Sequence, residues 1–186
     1  ADIERGLLLK ENKELSEKKE LDVEQQKRQV QIIEQLEIIG SDSAERRGEE
    51  LLTNLGFSED MQKKKLKEMS GGWRVRTMLA AAIFARPSIL LLDEPTNHLS
   101  ILAVMWLARE LSTNDVWKDK IVVVVSHDRF FIDEVCTDCL HISGVAKRLT
   151  QSHGNYSTWH ARRTEQQALF LKETALRQDT IDKLKE

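Results

Sequence analysis

The stretch Ile89-Leu90-Leu91-Leu92-Asp93-Glu94-Pro95-Thr96-Asn97-His98-Leu99 constrains this chain more than any other. An apolar run ends in two adjacent carboxylates. The run is too short to span a membrane and suits a strand buried on both faces. Pro95 stops that strand, because it has no N–H to give to a ladder. Asp93 and Glu94 therefore fall at the carboxyl edge of a buried strand, where open α/β sheets bind their ligands. Two carboxylates forced together repel each other unless a cation or a protonated partner lies close by. On these two acids alone, two readings stay open: a charged strand end facing solvent, or a site that holds a cation.

The chain has 186 residues, enough for one ordinary domain or a domain with an appendage. Charged residues make up 32% and aromatic residues 5%, which favours long solvated helices over a β-rich body. A net charge of -3 gives no global basic field to attract nucleic acid. No apolar run approaches the length of a membrane span, and the N-terminus has no signal-peptide core. The chain opens at Ala1, without Met and inside a helical pattern, so a fragment of a longer chain is expected. Cys136 and Cys139, with His141 following, have a spacing that could suggest a zinc or redox site. There is no second ligand pair and the flanks Val135, Leu140 and Ile142 are apolar, so buried free thiols are expected.

Residues 1 to 39 contain no proline and are rich in Glu, Lys, Gln and Leu, all good helix formers. Long exposed helices are expected, in a hairpin turning near Lys18 to Asp22. Residues 1 to 50 hold 14 acids and 9 bases, a local charge of -5, so contact with RNA along the whole arm is not expected. Gly40 reads as a helix stop, and Asp42 with Glu45 as a cap and its box partner. The next helix runs through Leu51, Leu52 and Leu55 to Gly56. The basic cluster Lys63-Lys64-Lys65-Leu66-Lys67 reads as a solvated loop, with phosphate contact as the other reading.

In Met69-Ser70-Gly71-Gly72-Trp73-Arg74-Val75-Arg76, two glycines after a serine let the backbone approach a ligand closely. Val75, Met78, Leu79, Ala82 and Ile83 follow at helical spacing. Free N–H groups and the positive helix end then meet at Ser70-Gly71-Gly72, an anion site that Arg74 and Arg76 reinforce. After the acidic strand, a helix of about 12 residues leads through Lys120 to Ile121-Val122-Val123-Val124-Val125, a second buried parallel strand. That strand ends in Ser126-His127-Asp128. A strand–helix–strand crossover puts both strand ends on one sheet edge, so His127 is expected near Glu94. A helix over 129–136, a short hairpin from Cys139–Ser143 and Arg148–Gln151 across Gly144, a turn at Gly154-Asn155-Tyr156 and a long helix to Glu186 complete the expected order.

Taken together, these motifs resemble those of ABC ATPases. Met69-Ser70-Gly71-Gly72-Trp73 is similar to the signature motif, Ile89 to Glu94 to Walker B with its catalytic glutamate, and Asn97-His98-Leu99-Ser100 to the D-loop. His127 resembles the switch histidine. Trp73 in place of Gln, and Pro-Thr-Asn-His-Leu, resemble the ABC-F branch, whose members are soluble tandem ATPases acting on ribosomes. The resemblance covers roughly residues 42 to 186 and implies a partial P-loop NTPase fold of ABC type, with parallel strands, a helical signature subdomain and long flanking helices. It implies an arm at 1–41, a partial ATPase domain at 42–154 and a linker helix at 155–186. It further implies ATP and Mg²⁺ as ligands, a cytoplasmic location without a membrane, and a second ABC domain and the ribosome, through rRNA or tRNA, as partners.

By the same resemblance, Asp93 holds Mg²⁺ through water, Glu94 polarises the attacking water and His127 contacts the γ-phosphate. Ser70, Gly71 and Gly72 close over ATP held by the partner domain. Two departures stand out. No G-x-x-x-x-G-K-[ST] phosphate loop occurs in the 186 residues, so the chain alone is expected to bind ATP poorly and not to hydrolyse it. Ser100 stands where the family usually has Asp; it can still cap the helix starting at Ile101, but it carries no charge. The alternatives are a non-catalytic interaction module and the ATPase subunit of a membrane transporter. Trp73, Asn97-His98 and the charged C-terminal helix argue against the transporter. Chromosome-organising ATPases carry far longer coiled coils.

Overall fold

The sparse apolar positions of the first residues are spaced so that two helices can share one narrow seam. In the computed structural model, which describes residues 3–18 and 20–184, α1 (Ile3–Ser16) and α2 (Val23–Ile38) do this. Leu8 and Leu15 pack on Ile32 and Leu36, and Arg28 grips both oxygens of Glu11 at 2.8 and 2.9 Å. Asp22 caps α2 in a full capping box with Gln25. The chain turns where expected, between Ser16 and Asp22; Lys19 lies outside the described residues.

Helix α3 (Ser41–Asn54) does not start as expected. The cap position belongs to Gly40, with φ 66 and no side-chain cap, while Asp42 lies within the first turn. The expected Asp42–Glu45 box is therefore absent. The α2–α3 joint is one left-handed residue, and a side-chain cap needs an extended residue at that position. Glycine takes that conformation without a Cβ penalty. After α4 (Glu59–Gln62), helix α5 (Gly71–Ala85) leads through Arg86 and Pro87 into β1 (Ile89–Asp93).

Strand β1 pairs in parallel with β2 (Ile121–Val125), in a register running from Ile89↔Ile121 to Asp93↔Val125, across α6 (Ile101–Thr113). Ser100 caps α6, as expected, by accepting the Ala103 N–H at 3.3 Å. Leu90 and Leu92 bury their side chains against Ile83 of α5, Val104, Leu107, Ala108 and Leu111 of α6, and Phe131 of α7 (Arg129–Val135). This is an α/β arrangement.

The expectation that both strands are buried on both faces does not hold. The alternate side chains Ile89, Leu91, Ile121 and Val125 are exposed, Leu91 at 71%. Helices α5, α6 and α7 all cover the same face, and a strand is buried on two sides only when a layer lies over each.

The chain continues into the antiparallel hairpin β3 (Asp138–Ser143) and β4 (Arg148–His153), then α8 (Tyr156–Lys183). Asn155 caps α8 after Gly154, whose φ of 106 makes the turn. Helix α8 has no buried residue along its length. Cys136 and Cys139 are free but half-buried rather than buried, because their segment lies at the rim of the core. Desolvation raises the pKa of both thiols, so they stay protonated at neutral pH. No helix among the described residues is long and apolar enough to cross a membrane.

Candidate functional site

Two short parallel strands ending at the same level set the geometry. Beyond Asp93, the Glu94 N–H donates to the Val125 carbonyl at 2.7 Å, extending the ladder by one bond. Glu94 is left-handed, φ 47, without being glycine. Such a conformation costs on the order of 1–3 kcal/mol and clusters at functional sites. On the other strand, two residues past Val125, His127 places Nδ1 at 2.7 Å from Glu94 Oε2. An ionised carboxylate only accepts, so His127 Nδ1–H donates and Nε2 remains for another partner. Residues 33 positions apart thus meet as the strand order leads one to expect.

The surrounding turns hold this pair from both sides. Pro95 is buried. The Asn97 N–H donates to the Glu94 carbonyl and the Leu99 N–H to the Thr96 carbonyl, each at 3.1 Å. His98, between them, is also left-handed, φ 65. Thr96 Oγ1 lies 3.5 Å from Ser126 Oγ, which accepts the Asp128 N–H at 3.1 Å. Asp128 in turn caps α7 through the Phe131 N–H, so the His127 segment is tied to the core. Asp93 is exposed beside the pair.

The second part of the site is the start of α5. Ser70 is its cap residue, but its hydroxyl makes no capping bond. Gly71 and Gly72 are already helical rather than loop residues preceding the helix. The Arg74 N–H closes the first helical bond to the Ser70 carbonyl at 3.0 Å, so the preceding amides have no helical partner. A hydroxyl and amides at a positive helix end suit an anion.

The sequence groups Arg74 and Arg76 as a pair serving that anion. The structure separates them. Arg74 is exposed, whereas the Arg76 guanidinium lies over the Trp73 ring at 4.2 Å and donates to the His98 carbonyl. Trp73 is pinned edge-on against Phe57, with ring centroids 4.8 Å apart. No hydrogen bond joins Ser70, Gly71 or Gly72 to Glu94 or His127 among the described residues; the link between the two parts runs through Arg76.

The residues present fit a hard divalent cation bound with a phosphate ligand. Asp93 is an exposed carboxylate, and Glu94 retains Oε1 beyond its bond to His127. No group of three or more His, Cys, Asp or Glu among the described residues forms a metal cage. One or two carboxylates completed by phosphate and water oxygens are what Mg²⁺ ordinarily takes.

The ABC transporter family model matches residues 3–97, and the chain belongs to that family. Within it, the chain falls in the F subfamily. It is 41% identical to ATP-binding cassette sub-family F member 2 of Bos taurus over 184 residues, 99% of the chain and 28% of that protein. It is 44% identical to ATP-binding cassette sub-family F member 3 of Homo sapiens over 130 residues, 70% of the chain and 18% of that protein. With ABC transporter F family member 4 of Arabidopsis thaliana it shares 49% over 113 residues, 61% of the chain and 15% of that protein. The chain therefore spans less than a third of each of these relatives. A solved ABC transporter overlaps 58% of the chain at 19% identity with a TM-score of 0.39, a likeness too loose to place any residue.

Proposed function

We propose that this chain supplies part of the ATP-hydrolysing machinery of an ABC-F protein that works on the ribosome in translation or its regulation, in the cytoplasm. The observation that carries this reading is the Glu94–His127 pair at 2.7 Å, on a strained residue at the shared edge of two parallel strands. A carboxylate held in that way is oriented before any ligand arrives, which is what phosphoryl transfer asks of a protein.

In this reading Glu94 accepts a hydrogen bond from the attacking water and draws on its proton. His127 fixes the carboxylate through Nδ1 and leaves Nε2 for a γ-phosphate oxygen. Asp93 would hold Mg²⁺, which would supply charge neutralisation on the phosphates. The hydroxyl of Ser70 and the amides at Gly71 and Gly72 hold the phosphates of ATP carried by a second ABC domain. Asn97, His98, Leu99 and Ser100 form the loop facing that domain. Residues 1–41 serve as an arm, 42–154 as the partial ATPase domain and 155–186 as a linker. Without a phosphate loop and its lysine among the 186 residues, this chain alone binds ATP weakly and turns none over.

The test is a chain in which this region follows a G-x-x-x-x-G-K-[ST] loop and precedes a second ABC domain. Glu94→Gln there should trap ATP and abolish turnover; unchanged phosphate release overturns the assignment. A second reading, an interaction module without catalysis, draws on α8, none of whose 28 residues is buried. Ribosome co-sedimentation that ignores both nucleotide and Glu94→Gln would favour it.

A further inference from the structure

Arg76 has no part in the roles given above, yet its setting is unusual for a helical arginine. It lies about one and a half turns into α5, and its guanidinium is committed on several sides. One face meets the Trp73 ring at 4.2 Å, and Nη2 donates to the His98 carbonyl. Nη1 lies 3.6 Å from where a side chain on Gly56 would begin, so the guanidinium packs beside that turn at ordinary van der Waals distance. Its Nε is buried and has no acceptor among the described residues. Leaving a buried donor unpaired costs free energy, so the setting is not one that maximises hydrogen bonding. It is one that fixes position: a rigid planar fork between a ring and a carbonyl.

The acceptor is equally specific. His98 is left-handed, and its carbonyl belongs to the same peptide unit as the Leu99 N–H, which closes the turn onto Thr96 at 3.1 Å. That turn begins at the Glu94 carbonyl, which accepts from Asn97. One side chain therefore bridges the helix whose first turn holds Gly71 and Gly72 and the turn that follows Glu94.

We propose that Arg76 is a positioning residue that couples these two loops, so that a ligand seated on the amides at Gly71 and Gly72 is felt at residues 97–99. An arginine suits this task because its planar fork can meet a ring face and a carbonyl at once. The coupling itself stands on the geometry; its use by a nucleotide rests on the ATPase reading above.

The decisive measurement is NMR on this chain, following the Leu99 amide exchange rate and the His98 carbonyl carbon shift. Arg76→Ala should speed Leu99 exchange about tenfold, as loss of one charge-assisted bond would. It should also move the His98 carbonyl resonance upfield while the Leu107 amide in the core exchanges at its parent rate. Arg76→Lys, which keeps the charge but not the fork, should fall between. Unchanged Leu99 exchange overturns the proposal, and so does equal acceleration at Leu107, which would mark a merely structural residue. If Arg76→Ala does not fold, Arg76→Lys decides by the same criteria.

A second arm uses the two-domain chain described above. ATP should protect the Gly72 and Leu99 amides together in the parent, and only Gly72 in Arg76→Ala. Protection of both in the variant overturns the coupling to the ligand. Failure of the parent to bind ATP overturns the ATPase reading instead and leaves the first measurement to decide the link.

Discussion

Among the described residues, two histidine–carboxylate pairs of nearly equal length lie in very different settings. At the parallel sheet edge, His127 Nδ1 lies 2.7 Å from Glu94; on the hairpin, His153 Nδ1 lies 2.6 Å from Asp138. The second pair is a direct cross-strand neighbour in the β3–β4 register, an ordinary surface contact between residues that face each other. The first joins two segments through a left-handed glutamate and a turn, above a core of Leu90, Leu92, Leu107 and Phe131. A short His–carboxylate distance is therefore no sign of function in itself. What separates the pairs is whether the backbone is forced into a shape that nothing but the site requires, and whether a packed layer keeps it there.

The sharpest way to break this contrast is to remove each carboxylate. In a two-domain chain with an intact phosphate loop, Glu94→Gln should lower steady-state phosphate release about 10³-fold. Asp138→Asn should leave it within about twofold. Equal effects would erase the distinction. The packing beneath each pair comes next. Phe131→Ala, under the first pair, should cost about 3–5 kcal/mol in urea unfolding. Leu149→Ala, exposed toward the far end of the second pair's hairpin, should change it by no more than about 0.5 kcal/mol.

Replacing the histidines should give a smaller effect of the same sign. His127→Ala should reduce turnover about 100-fold, as loss of one aligned donor does, while His153→Ala should leave it unchanged. The smallest effect belongs to pH. Hydrogen bonds from Thr137 Oγ1 and Gln151 Nε2, with the charge of His153 adding to them, hold the Asp138 carboxyl below the usual carboxylate range. A depressed folded-state pKa means that the stabilisation is present above the unfolded carboxylate value and is lost as pH falls through the folded one. Urea midpoints should therefore decline slightly more for the parent than for Asp138→Asn across the acid range. An identical decline would show that the hairpin pair contributes nothing measurable.

Much of this could be read from the residues in order. The run Ile89–Leu92 followed by two acids and a proline carries its own strand end, and Ile121–Val125 with His127 beyond it carries the other. Both signals are local, and the crossover rule brings them together. The hairpin across Gly144 and the long helix after Asn155 were legible for the same reason. The start of α3 was not. Asp42 and Gly40 both offer helix-boundary signals, and the choice between them depends on how sharply α2 must turn into α3.

Two further features had no sequence signal at all. Exposure of Ile89 and Leu91 depends on which layers lie over β1, and an apolar run looks the same whether one face is covered or two. The acceptor of Arg76 is a backbone carbonyl 22 residues away, a group every residue has and no pattern marks.

The sequence by itself determined the elements, the family and the residues at the sheet edge, because propensity, periodicity and motif spacing act over a few neighbours. Only the tertiary structure decided which face of the strands is covered, that Glu94 and His98 are left-handed, and that Arg76 turns from the anion site toward the carboxylate turn. Those outcomes are set by contacts between distant segments, where burial and backbone hydrogen bonds outweigh any local preference.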